Sequence, residues 1–311
     1  MRLLTLIFLF FLSNNLLGQK SRLPEIEKFA VDLFLNRNYD QVVNQIEPMI
    51  SSSISTDNLN RVVSYSKIEL KDFAGGIRWI NEKISSKNDL DNLYLGRAYQ
   101  GIGNDSLAII QFEILAPADL TNNLYINIHD IRYKQKRYKD AAIAALKVIE
   151  WKQKKNQAVG SGDYFKAAMD YYFVAAISTP KEDTLSRVSV VMKSDTLFAK
   201  AIAINDKWPP FYLNRARINN LIDFTGTKWL GVPHYEKFLE TVAYLREEKS
   251  NTFKEDPKQL FEAYKYLGGY HLTVTKNELK VKDYFSKALE IKSDDKEVNE
   301  YFNSTGAAPK K

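Results

Sequence analysis

A spacing of about 33 residues recurs along this chain, and it restricts the possible folds more than any other feature. Val42, Gly76, Ala108 and Ala141 are separated by 34, 32 and 33 residues, and Ala30, Ser64, Gly96 and His129 keep the same intervals. Around each pair of positions the apolar residues follow helical periodicity in two short runs joined by turn residues. A period in this range belongs to stacked supersecondary units, because one such unit cannot bury its apolar face alone.

The clearest unit is residues 94–115, YLGRAYQGIGNDSLAIIQFEIL. Leu95, Gly96 and Tyr99 share one face of a first helix, and Ala108, Phe112 and Leu115 share one face of a second. Between them Gly103-Asn104-Asp105-Ser106 combines a glycine that tolerates positive φ with side chains that cap a helix. Small Gly96 and Ala108 let the two backbones approach, and Phe112 fills the space beside them. Related units occur in NRNYDQVVNQIEPMI, ELKDFAGGIRWINEKI and KQKRYKDAAIAALKVI. The C-terminal half repeats the grammar with Phe198, Ala201 and Ile204, then Tyr212 and Ala216, then Tyr264, Leu267, Gly268, Phe285 and Ala288.

These residues resemble the tetratricopeptide repeat. Leu95, Gly96, Tyr99, Ala108 and Phe112 fill its signature positions, whereas Asn92 stands where the family has Trp and Leu115 where it has a second Ala. The run SDTLFAKAIAINDKWPPFYLNRARINNLID, with HYEKFLETV and YLGGYH after it, is similar to exported tetratricopeptide proteins of Gram-negative bacteria. The resemblance extends over roughly residues 23–300 and implies an all-α helical-hairpin solenoid of about six or seven hairpins. The expected organisation is a signal peptide over 1–18, an N-terminal array over 19–151 and a polar linker over 152–163. A C-terminal array over 164–300 would follow, with a loop insertion at 224–233 and a disordered tail over 301–311.

The leader reading rests on MRLLTLIFLFFLSNNLLGQ, in which Arg2 precedes an apolar run over 3–12, then Ser13, Asn14 and Asn15, with Gly18-Gln19 at the expected cut. The apolar run is about half of what a membrane span requires. An uncleaved N-terminal anchor is the other reading. Cysteine is absent, which excludes disulfides, thiolate metal sites, a thiol nucleophile and a lipid carried on cysteine. No β-rich segment follows the last repeat, so the periplasm is the expected destination. The net charge of +6 is spread over a mixed surface, and Lys152, Lys154 and Lys155 form its densest basic cluster. That pattern belongs to a polar connection, and nucleic acid is not an expected partner.

No catalytic constellation can be assembled. His129, His234 and His271 lack a second ligand at helical spacing. Phosphate-loop, GxSxG and HExxH motifs are missing, and AVGSGD (158–163) lacks the lysine and preceding strand of a phosphate cradle. No cofactor and no metal is expected. The triplets starting at Asp105, Asp183 and Asp195 match an O-glycosylation pattern of exported bacterial proteins; alternatively all three are helix N-termini.

In the family, first-helix residues one and four positions after the Gly site face the concave side. The resemblance thus implies a groove lined by Tyr65 and Ile68, Arg97 and Gln100, Asp130 and Tyr133, and Arg217 and Asn220, with Arg61 beside them. The expected function is a non-catalytic periplasmic scaffold that binds a protein or peptide of the cell envelope. The alternative is a glycan or peptidoglycan-fragment binder whose loop places Trp229, His234 and Tyr235 against sugar rings. Oligomeric state is left open.

Overall fold

A computed structural model describes residues 23–50, 54–118, 123–249 and 253–306. The expected signal peptide at 1–18 lies outside them. Among the described residues the chain forms seven helical hairpins followed by one further helix, and no strand. It divides into two compact units, Met1–Ile131 and Arg132–Lys311. The first contains α1 (Leu23–Leu35) and α2 (Tyr39–Gln41, continued by a π-type turn to Ile46 and a 3-10 turn to Met49). The pairs α3 (Asp57–Glu69) with α4 (Phe73–Lys83) and α5 (Asp89–Gly101) with α6 (Asp105–Leu115) complete it. Helix α7 (Tyr125–Lys134) crosses the boundary. The second unit continues with α8 (Tyr138–Lys154), α9 (Ser161–Phe173, extended to Ser178) and α10 (Thr184–Ile204). It ends with α11 (Pro209–Asn220), α12 (Val232–Glu247), α13 (Pro257–Tyr270, extended to Thr275), α14 (Glu278–Ile291) and α15 (Lys296–Thr305).

Small residues set how closely the hairpin arms pack. A Cβ on Gly96 would lie 2.5 Å from Phe112 Cε1, and one on Gly268 would lie 2.3 Å from Phe285 Cδ1. Phe112 is completely buried and Phe285 nearly so. At the corresponding position of the second hairpin, a Cβ on Gly76 would lie 2.3 Å from Ile68 Cγ1. The same arrangement thus occurs in both units, with ring or branched carbon lying against bare backbone.

The turns are also periodic. Arg37, Lys71, Gly103 and Lys136 all have left-handed backbone (φ 60, 67, 76 and 59), at intervals of 34, 32 and 33 residues. Each residue after them returns its N–H to a first-helix carbonyl: Asn38 to Leu33, Asp72 to Lys67, Asn104 to Tyr99 and Arg137 to Arg132. This is the left-handed closure that satisfies a helix C-terminus. The side chains of Asp72 and Asn104 then cap the second helix through the N–H groups of Gly75 and Leu107.

Several expected boundaries differ from these elements. The polar segment 152–163 is mostly helical: α8 runs to Lys154 and α9 starts at Ser161. Lys152 and Lys154 occupy the last turn of α8, where cations complement the helix dipole. Lys152 Nζ also lies 2.7 Å from both Asp163 oxygens, and Asp163 accepts the Gly160 N–H at the start of α9. The division between compact units falls at 131/132, not in this segment. The tail expected from 301 is helical as far as Thr305, because Asp295 caps α15 through Val298 N–H and Val298 and Phe302 are buried. Residues 307–311 lie outside the described residues. Asp105 and Asp183 sit at helix starts, but Asp195 lies in the middle of α10.

Candidate functional site

In the first unit, two of the residues expected to line a groove hold neighbouring hairpins together. Arg61 Nε donates to Asp91 Oδ1 and Oδ2 at 3.3 and 3.1 Å, and its Nη2 donates to the Ser86 carbonyl at 2.6 Å. Tyr65 is 3% exposed and donates to Asp91 Oδ1 at 2.6 Å. Its ring stacks on Tyr94 at 3.9 Å with an interplanar angle of 6°. Burial and the Asp91 carboxylate push the Tyr65 phenol up; burial and Glu69 push Tyr94 up to about 12. Asp91 is fully buried and also caps α5 by accepting the Asn88 N–H. Ile68 is buried as well. By contrast, Arg97 is exposed and lies over the Tyr94 ring at 5.6 Å, and Gln100 is half-buried. Exposed Asp130 pairs with His129 Nδ1 at 2.8 Å, which places buried His129 as a packed core residue.

In the second unit the implied residues fall in a longer aromatic and polar strip. Tyr133 is 41% exposed, with its ring 6.0 Å from Phe173 and 5.7 Å from Tyr138. Tyr172 packs edge-on to Phe173 at 5.5 Å. Arg217 clasps Glu262 with Nε–Oε1 at 2.9 Å and Nη2–Oε2 at 2.6 Å. Tyr235 donates to the same carboxylate at 2.6 Å. Tyr266 donates to Asn220 Oδ1 at 2.9 Å and accepts the Gly231 N–H at 3.2 Å.

The loop between α11 and α12 is built around Asp223. Its carboxylate accepts the N–H groups of Thr227, Lys228 and Trp229, and Trp229 takes left-handed backbone at φ 53. Its indole is thereby turned toward α13, 5.1 Å from the Tyr266 ring and 5.9 Å from Tyr270. Gly269 makes room for it: a Cβ there would lie 3.2 Å from the indole Cη2. Tyr235 is 2% exposed, and burial with the Glu262 carboxylate raises its phenol. Burial beside Arg215 pushes the His234 imidazole down to about 4, against an opposing pull from Asp195. Asp195 itself is held by Arg215 at 2.8 and 3.0 Å and by Asn219 at 2.7 Å. The three groups named for a sugar-stacking loop therefore anchor the loop to its own unit. Among the described residues, no three His, Cys, Asp or Glu side chains gather as a metal site, and no helix is long and apolar enough to cross a membrane.

No family model and no curated protein matches the sequence. Among solved structures, the C-terminal part of a TPR repeat-containing protein from Cytophaga hutchinsonii is similar over 88% of this chain and 98% of that one. Its TM-score is 0.56 at 20% identity. This chain has the tetratricopeptide-repeat fold. MamA (TM-score 0.43, 18% identity, 64% of this chain and 98% of that one) and PilF of Pseudomonas aeruginosa (0.37, 12%, 92% and 99%) are more distant, and at those scores neither adds to the assignment.

With the repeat frame established, the missed residues take definite positions. Lys265 lies three residues before Gly268, as Arg61 lies three before Ser64, and each reaches an aspartate 30 residues on. The Lys265 partner is Asp295, which sits at the N-cap of the next first helix. Tyr172 lies four residues after buried Ala168, the offset that selects Tyr133 and Asn220. Applying that offset across the polar segment would have found it. Glu262 and Tyr266 had no such signal, because their roles depend on where α13 sits beside α11.

Proposed function

We propose that this chain is a non-catalytic tetratricopeptide scaffold. It binds a protein or peptide partner of the cell envelope, after export to the periplasm, on the first-helix face of its second unit. The observation that carries this reading is the strip from Tyr133 through Tyr172, Arg217 and Asn220 to Tyr266. In it, consecutive first helices present partly exposed rings and amide or guanidinium groups. Tyr and Arg combine contact area with directed hydrogen bonds, which makes them frequent binding hot spots. In the first unit, Arg97 and Gln100 are the groove positions open to a partner, and Arg61 and Tyr65 support them from within. The leader pattern at residues 1–18 supports export.

Sugar binding through the loop has less support, because Tyr235 is buried and Trp229 packs on Tyr266 and Tyr270. The test is site-specific photocrosslinking in the native envelope with probes at Gln100 and Tyr172, and on the opposite side at Ile110. A recurrent protein adduct from the first two positions, absent at Ile110, supports the reading. Adducts from Ile110 alone, or retention of the protein in the cytoplasm, would reject it.

A further inference from the structure

The chemistry of the strip in the second unit narrows the kind of segment it accepts, provided the protein-binding reading holds. Its fixed charges are already matched. Arg217 has Nε and Nη2 on Glu262, and hydrogen bonding to that carboxylate raises the guanidinium further above its ordinary value. The Asn220 carbonyl oxygen is engaged by Tyr266. A charged tail entering here would lose water without gaining an open counter-charge, a net cost in a partly buried groove.

The strip offers ring faces and phenols. Tyr133 and Phe173 meet across α7 and α9 at 6.0 Å, Tyr172 adjoins Phe173, and α9 in turn packs against α11. Packed helices stand about 8–10 Å apart. A polyproline II segment advances about 3.1 Å per residue with three residues per turn, so one of its faces recurs every ~9 Å. The two repeats are commensurate: residues i, i+3 and i+6 of such a segment would meet successive first helices. Its carbonyls have no internal partners, which suits phenol donors, and its conformation is already formed before binding. An amphipathic helix would instead need a continuous apolar trough, and this strip is interrupted by the Arg217–Glu262 pair.

We propose that the first-helix face of the second unit binds an extended, uncharged, proline-containing segment of its partner, with one proline to each first helix. The experiment is calorimetric titration of the folded chain with a synthetic neutral peptide of about twelve residues bearing proline at every third position. Controls are the same peptide with alanine for proline, and acidic and basic versions of the alanine peptide. The expected result is binding of the proline peptide at least ~10-fold tighter than any control, equal to about 1.4 kcal/mol. Tyr172→Ala should weaken it by a similar factor, and Tyr172→Phe, with unchanged circular dichroism, should retain most of it.

Equal or tighter binding of the alanine or charged peptides would overturn the proline assignment, as would unchanged affinity in Tyr172→Ala. If no peptide binds while an envelope protein still crosslinks at Tyr172, the proline assignment fails and the scaffold reading stands. If neither peptide nor crosslinked partner is found there, both fail.

Discussion

Arg217 and Glu262 are joined through two guanidinium nitrogens across 45 residues of sequence, linking α11 to α13 without an intervening loop. With both side chains about one-third exposed, the pair lies between a surface ion pair and a buried one. Arg217→Ala should therefore lower unfolding free energy by ~1–2 kcal/mol, part of it from leaving Glu262 with only Tyr235 as donor. A double-mutant cycle with Glu262→Gln in urea should give a coupling of about 1 kcal/mol. Additivity of the two changes would refute the link.

The left-handed turns make an opposite pair of expectations. Lys136 adopts φ 59 in a conformation that costs a residue with Cβ roughly 1–2 kcal/mol. Lys136→Gly should raise the urea midpoint, with the added unfolded-state entropy offsetting part of the gain. A Cβ on Gly103 would meet no heavy atom within 4 Å, so Gly103→Ala carries only the backbone cost and should destabilise by ~1 kcal/mol. A fall in stability for Lys136→Gly would contradict the turn geometry.

Close contact at Gly96 predicts overpacking. Gly96→Ala places a methyl 2.5 Å from Phe112 and should cost about 2–3 kcal/mol. Combining it with Phe112→Leu should recover part of that loss, whereas Phe112→Leu alone should destabilise through the cavity it leaves. If the double variant is worse than the sum of the singles, the two residues are not in contact as described.

Two groups set the acid limb. His234 is neutral in the folded chain down to about pH 4, while its unfolded form takes up a proton near its ordinary value of 6.5. The unfolded state thus binds more protons as pH falls between those values, and stability declines through that window. His234→Gln should flatten the decline. Burial would raise Asp195, but hydrogen bonds from Arg215 and Asn219 outweigh it and hold the carboxyl low. Its contribution is present above the ordinary carboxylate range and disappears as pH falls through the lowered value. A pH series of urea midpoints separates the two, and an unchanged slope above pH 4 in His234→Gln would contradict the first.

Much of the fold could be read from spacing. The intervals through Gly76, Ala108 and Ala141 located the hairpins, and Gly103 announced a left-handed turn. Arg37, Lys71 and Lys136 adopt the same backbone without a glycine to announce it, and only their register reveals them. The site was less legible for a physical reason. Helical periodicity tells which face a residue occupies on its own helix but not what stands opposite, so Arg61 and Tyr65 were placed toward a partner although Asp91 of the next hairpin receives both. Helix α15 was hidden by small and polar neighbours, although the Asp295 cap, the Val298–Phe302 interval and Gly306 at φ 63 mark it.

The Arg61–Asp91, Arg217–Glu262 and Lys265–Asp295 links each tie one hairpin only to the next. Under tension such ties bear load in series, so a pulled chain should yield in steps. Each lost repeat would release about 110 Å of contour, the extended length of roughly 33 residues. The protein would then act as a ratcheted tether, lengthening by fixed increments between whatever it holds and whatever holds it.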